Sequence, residues 1–76
     1  MDVQEGYDRA IRDFDEAIRL DPKYARAYAE RGYAWLAKGN YDQALKDYDQ
    51  AIRLDPAMAQ YVDQNRRAAW SRKMGR

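Results

Sequence analysis

One segment occurs twice in this sequence, and both copies end in the dipeptide Asp-Pro. The first copy, YDRAIRDFDEAIRLDP, covers residues 7–22, and the second, YDQALKDYDQAIRLDP, covers residues 41–56. The spacing from Pro22 to Pro56 gives a period of about 34 residues, which is typical of stacked helical hairpins whose neighbouring units share one continuous core. The repeat predicts an all-α fold of antiparallel hairpins that stack as a short solenoid.

Both copies show the apolar spacing of an amphipathic helix. Apolar residues recur at intervals of three and four, which predicts one helix over residues 7–21 and an equivalent helix over residues 41–54. On the polar face of each helix, acids lie four residues before bases. This spacing predicts four pairs within the helices, namely Asp8–Arg12, Asp15–Arg19, Asp42–Lys46 and Asp49–Arg53.

The residues between the two copies predict a further helix over 23–38. Asp21-Pro22 separates it from the first helix, because the residue before proline avoids the α region while proline is accepted at a helix start. Gly39 suits the left-handed conformation that often follows a helix, and Asn40 with Gln43 predicts a capping box. So short a connection predicts a complete antiparallel hairpin over residues 23–54.

One glycine lies inside the predicted helix over 23–38. Gly32 costs that helix about 1 kcal/mol relative to alanine, so its presence calls for a structural reason. We expect a neighbouring helix to approach closely there, through the small residue Ala44.

The segment after Pro56 predicts a fourth helix, over residues 57–73, with a weaker pattern. Asn65 interrupts its apolar face, which suggests a capping helix that turns a more polar side to water. Its end is basic, and Trp70 lies among the cations Arg66, Arg67, Arg72, Lys73 and Arg76. This end is the one feature that could contact RNA, DNA or a membrane surface, although a helix end favours cations in any case.

Composition excludes several classes of function. The chain has 14 basic and 13 acidic residues and no cysteine or histidine, so we expect no metal site, no cofactor and no enzymatic activity. The net charge of +1 gives no overall attraction to nucleic acid. No apolar run approaches the ~20 residues that cross a bilayer, so a soluble protein, cytoplasmic by default, is expected. All 76 residues are predicted to form a single domain.

The complete unit resembles a tetratricopeptide repeat (TPR). The family pattern of aromatic, glycine, aromatic, alanine, aromatic, alanine and closing proline is matched by Tyr28, Gly32, Trp35, Ala44, Tyr48, Ala51 and Pro56. Arg31 replaces the usual leucine. The upstream copy supplies Ala10, Phe14, Ala17 and Pro22. Downstream, at the same period, Val62, Asn65, Arg66 and Ala69 occupy the positions of Tyr28, Arg31, Gly32 and Trp35.

This resemblance implies a module for protein–protein interaction, with a concave groove that accepts a peptide or a helix of a partner. On that analogy the groove residues are Arg26, Glu30, Tyr33, Ala37, Gln64, Arg67 and Trp70. Glu30 and Tyr33 stand where a clamp for a C-terminal carboxylate has asparagines, so that specificity is not carried over.

The resemblance also implies that the first helix is the second half of a partial repeat. Its apolar face would then have one neighbouring helix instead of two, and exposed apolar strips usually mark interaction surfaces. We therefore expect self-association, as a dimer, through Tyr7, Ile11, Phe14 and Ile18. The alternative is a truncated or engineered scaffold without a specific ligand.

Overall fold

The computed structural model of the chain describes residues 3–75, which form four α-helices. The helices are α1 (Val3–Leu20), α2 (Ala25–Lys38), α3 (Tyr41–Leu54) and α4 (Met58–Lys73). The predicted all-α fold of four helices is confirmed. Helix α1 begins four residues before its predicted start, and α2 begins two residues after its own.

The helices are connected by short turns whose backbone bonds satisfy the helix ends. Gly39 adopts φ 86°, as predicted, and its N–H donates to the carbonyl of Leu36. At the two Asp-Pro turns, Asp21 and Asp55 each accept a bond from the backbone N–H two residues later. The predicted capping box is wrong, because Asn40 makes no side-chain cap and instead accepts the N–H of Ala44 through its carbonyl.

Helix α2 is the centre of the fold, since it packs against α1, α3 and α4. The core between these helices contains mostly small residues with one large ring, that of Tyr48. Its buried members are Ala29, Leu36, Ala44, Tyr48, Ala51, Val62 and Ala69. Tyr28 and Trp35 lie at its edge and are half-buried. Small residues allow helix axes to approach closely. This thin core is therefore stabilised by close contacts between helices rather than by large apolar side chains.

The closest approach in the core lies where α2 crosses α3, and it explains Gly32. A methyl group placed on Gly32 would lie 2.8 Å from Cε1 of Tyr48 and 3.2 Å from the carbonyl oxygen of Ala44. The predicted contact with Ala44 is confirmed, and the ring of Tyr48 is the nearer neighbour. Glycine is therefore required by space at this position.

The predicted ion pairs within α1 and α3 are wrong, because their acids bond to the next helix instead. Asp8 bonds to Lys38, and Asp15 bonds to Arg31 at 2.8 Å, which ties α1 to α2. The same two positions in α3 tie it to α4 through Asp42–Lys73 at 2.7 Å and Asp49–Arg66 at 3.0 Å. Partners on a packed neighbouring helix lie nearer to these acids than the bases one turn along do. The charges thus form a repeated contact between consecutive helices.

These contacts show that the spacing from α2 to α4 is one residue longer than the spacing from α1 to α3. The equivalent pairs of residues in α2 and α4 are Arg31 and Arg66, Lys38 and Lys73, Ala27 and Val62, Ala34 and Ala69, and Trp35 and Trp70. The alignment of Val62 with Tyr28 is therefore corrected. One residue corresponds to a rotation of about 100° around a helix axis, so this shift changes which side chains of α4 face α2.

Candidate functional site

A cleft of about 380 Å³ opens between α2 and α4, with α3 as its floor. Helix α2 contributes one wall, helix α4 contributes the other, and Tyr48 of α3 lies between them. The lining residues are Ala29, Glu30, Tyr33, Tyr48, Tyr61, Val62 and Asn65. Spacings of three and four residues place Glu30 with Tyr33 on one side of α2, and Tyr61 with Asn65 on one side of α4.

Glu30 links the two walls of the cleft. The hydroxyl of Tyr61 donates a hydrogen bond of 2.5 Å to its carboxylate, and Arg26 lies 4.0 Å from the same oxygen. The guanidinium of Arg26 also lies 6.0 Å from the centre of the Tyr61 ring, within the range of a cation–π contact. The bond to Glu30 raises the pKa of Tyr61, because it favours the protonated phenol. The cleft therefore has one end fixed by a polar bridge.

The floor of the cleft holds a polar atom without a partner. Tyr48 is fully buried, and its hydroxyl makes no hydrogen bond to any of residues 3–75. Burial raises the pKa of Tyr48, so the phenol keeps its proton and remains a hydrogen-bond donor. Buried hydroxyls are nearly always paired, so this unpaired donor is a cost to the fold, and without exposed surface it is not open to a ligand in the cleft.

Asn65 supplies a polar group to the cleft. It was predicted to interrupt an apolar packing face, but the shift of α4 turns this half-buried amide toward α2. An asparagine side chain offers both donors and an acceptor, which are the groups needed to pair with a peptide backbone.

The predicted groove residues do not all meet at this cleft. Glu30 and Tyr33 line it, and Arg26 stands at its edge through Glu30. Arg67 and Trp70 lie together on another surface, in a cavity of about 250 Å³ shared with Leu45 and Arg66. Ala37 and Gln64 are exposed and line neither of these cavities.

The basic end of α4 is largely compensated by acids of this chain. Arg66 pairs with Asp49, Arg67 with Asp63 at 3.2 Å, and Lys73 with Asp42. Lys73 also lies 5.4 Å from the Trp70 ring centre. Arg76 lies outside the described residues. These pairs reduce the positive charge available to a phosphate backbone, so this surface is not proposed as a nucleic-acid or membrane site.

The residues predicted to mediate self-association divide into two groups. Ile11 is buried, with 6% of its surface exposed, because α1 packs against α2 along this side. Tyr7, Phe14 and Ile18 are half-buried.

The sequence analysis did not predict a partly buried ion pair that lies beside the core. Arg31 donates two bonds to Asp47, of 2.8 and 2.7 Å, and its guanidinium lies 5.3 Å from the ring centre of Tyr28. The bonds to Asp47 and Asp15 raise the pKa of Arg31, so its charge is permanent. The replacement of the usual leucine by arginine was the available signal, since a charge at a packing position requires a partner.

Comparison with known families agrees with this architecture. A family model described as tetratricopeptide repeat matches residues 3–59, which is three quarters of the chain. No protein in the curated set matches the sequence. Among residues 3–75, none of the helices has the length and apolar character that crossing a membrane requires.

Proposed function

Because the chain belongs to the tetratricopeptide repeat family, we propose that it binds an extended segment of a partner protein in the cleft between α2 and α4. The family generally provides non-catalytic modules for protein–protein interaction. The observation that carries the proposal is the lining of this cleft, which combines the half-exposed ring of Tyr33 with the half-buried amide of Asn65.

The lining of the cleft supports a peptide as the ligand. The Asn65 amide can pair with both groups of a peptide unit. The ring of Tyr33, half exposed, offers an apolar surface to one side chain of the ligand. The volume of about 380 Å³ is close to the lower end of ligand pockets, which suits a short segment.

The charge of the cleft favours an internal segment over a chain terminus. Its lining residues include Glu30 but no lysine or arginine. A free carboxylate would need cationic partners, so we propose that the ligand segment lies within its own chain.

Selection from a random library of dodecapeptides displayed on phage tests this proposal. The peptide that is most enriched is synthesised with blocked ends, and its dissociation constant is measured by calorimetry. We expect Asn65→Ala and Tyr33→Ala to weaken binding about tenfold, the effect of about 1.4 kcal/mol. Gln64→Ala and Tyr24→Ala are matched controls, because these exposed side chains do not line the cleft.

Two results would contradict the proposal. One is that no peptide is enriched, which is the result expected of a scaffold without a specific ligand. The other is that the control variants weaken the selected peptide as much as the cleft variants do.

Self-association through α1 stays a prediction. Light scattering at tens of micromolar protein distinguishes a dimer from a monomer of 9.0 kDa. A monomer across that range would remove this part of the prediction and leave the cleft proposal unchanged.

A further inference from the structure

One face of α1 repeats the face of α3 that α2 covers. We call it the open face of α1, and it consists of Ala10, Asp13, Phe14 and Ala17. In the second copy of the repeated segment, the equivalent residues are Ala44, Asp47, Tyr48 and Ala51. Because the two copies are nearly identical in sequence, α3 shows what covers such a face when it is occupied.

Burial differs sharply between the two copies. In α3, the side chains of Ala44, Tyr48 and Ala51 are fully buried. Their counterparts in α1 are only half-buried, and Asp13 is exposed whereas Asp47 has 4% of its surface exposed. The helix that makes this difference is α2, which packs closely on α3 at these positions.

Helix α2 binds its site on α3 through two adjacent residues. Arg31 donates two bonds to Asp47, and Gly32 leaves room for the ring of Tyr48. The open face of α1 presents the same two features, a carboxylate at Asp13 and a ring at Phe14. Among the side chains that the structure describes, Asp13 makes no hydrogen bond or ion pair, although Arg26 and Asp13 line the same cavity. Its carboxylate can therefore bind a cation.

We propose that the open face of α1 binds a helix of another protein in which a basic residue is followed directly by glycine. The basic side chain bonds to Asp13 as Arg31 bonds to Asp47. The glycine lies over Phe14 as Gly32 lies over Tyr48. This face adjoins the α2–α4 cleft at Glu30, which lines both that cleft and a cavity of about 320 Å³ beside Asp13, Phe14 and Ala17.

A second copy of this chain does not offer such a helix. Arg31-Gly32 is already packed against α3. In α4 the equivalent pair is Arg66-Arg67. The side chain of Arg67 would collide with the ring of Phe14, as a methyl group on Gly32 would collide with the ring of Tyr48. Within residues 3–75, a second copy therefore offers no helix of this kind, and the proposal is the alternative to self-association at Phe14.

The test uses a peptide with the α2 sequence, ARAYAERGYAWLAK, acetylated and amidated, titrated into the ¹⁵N-labelled chain up to millimolar concentration. Isolated helices of this length are marginal in water, so weak binding is expected. We expect chemical-shift changes at Ala10, Asp13, Phe14 and Ala17. Loss of the charged bond in Asp13→Asn should weaken binding about tenfold. Glu5→Gln removes the same charge from a side of α1 that lies away from this face and should have no effect.

Two peptide variants make the test specific. The peptide carrying Gly32→Leu should not bind. The peptide carrying Arg31→Asp should bind only the Asp13→Arg chain, and this exchange of charges shows that a lost interaction is not a folding defect.

The proposal is overturned if no resonance moves at millimolar peptide, or if Asp13→Asn binds as well as the unmodified chain. It is also overturned if the largest shifts fall at Tyr33, Tyr61 and Asn65, which line the α2–α4 cleft but not the cavity beside α1. Dilution without peptide gives the remaining test: if it changes the open-face resonances, a second copy is the occupant and the proposal of a different polypeptide fails.

Discussion

Replacing Gly32 by alanine should destabilise the protein, although the same change inside a helix usually stabilises it. Alanine favours a helix by about 1 kcal/mol over glycine. Here the added methyl group would lie 2.8 and 2.9 Å from two ring carbons of Tyr48, which is fully buried. Overpacking of this kind costs about 1–3 kcal/mol. The net change is therefore a loss of about 1 kcal/mol and at most about 2 kcal/mol.

The chain contains its own control for this prediction. Gly6 lies inside α1, and a methyl group placed on it would meet no atom within 4 Å. Gly6→Ala should therefore raise the free energy of unfolding by about 0.5–1 kcal/mol. Urea denaturation followed by circular dichroism in the far ultraviolet measures both variants by linear extrapolation. Equal stabilisation by Gly6→Ala and Gly32→Ala would refute the close packing of α2 on α3.

Three further predictions concern the buried polar groups. Tyr48→Phe removes an unpaired hydroxyl and should raise the free energy of unfolding by about 1 kcal/mol, seen as a midpoint about 4–8 °C higher in a thermal melt. Because the pKa of Tyr48 is raised, its phenol stays protonated in the folded state while the unfolded phenol ionises. Relative to Tyr48→Phe, the unmodified chain should keep its free energy of unfolding below about pH 10 and lose up to about 1.4 kcal/mol per pH unit above it. Parallel curves for the two proteins in alkaline urea titrations would contradict this. Asp47→Ala should cost about 1.5–3 kcal/mol in urea denaturation, and combining Arg31→Leu with Asp47→Leu should recover most of the loss, since buried ion pairs are often replaceable by apolar residues. A double variant as unstable as Asp47→Ala would show that the pair is needed in itself.

The repeat was sufficient to predict the helices and their closest contact. Three features could be predicted because each has a local physical cause. They are the period between the two Asp-Pro dipeptides, the turn at Gly39 and the unusual position of Gly32 inside a helix. The same reasoning could not locate the ion pairs, because whether Asp15 bonds to Arg19 or to Arg31 depends on how neighbouring helices are rotated. That rotation is set by packing over the whole hairpin.

The candidate site was predicted only on its α2 side for a related reason. Glu30 and Tyr33 lie in the complete repeat, where the pattern fixes the register. For α4, the prediction applied the same period that separates the two repeated segments. The contact between Arg66 and Asp49 shows instead that α4 is shifted by one residue from that period. Because one residue corresponds to a rotation of about 100° around the helix axis, this shift places Asn65 in the cleft and Arg67 outside it.

Chemical-shift mapping of a selected cleft peptide on the ¹⁵N-labelled chain tests the central claim most directly. Binding between α2 and α4 predicts the largest changes at Glu30, Tyr33 and Asn65, together with a changed environment for the Tyr48 ring. If the largest changes fall instead at Leu45, Arg66 and Trp70, the peptide binds the other side of α4, and the assignment of function to the cleft is wrong.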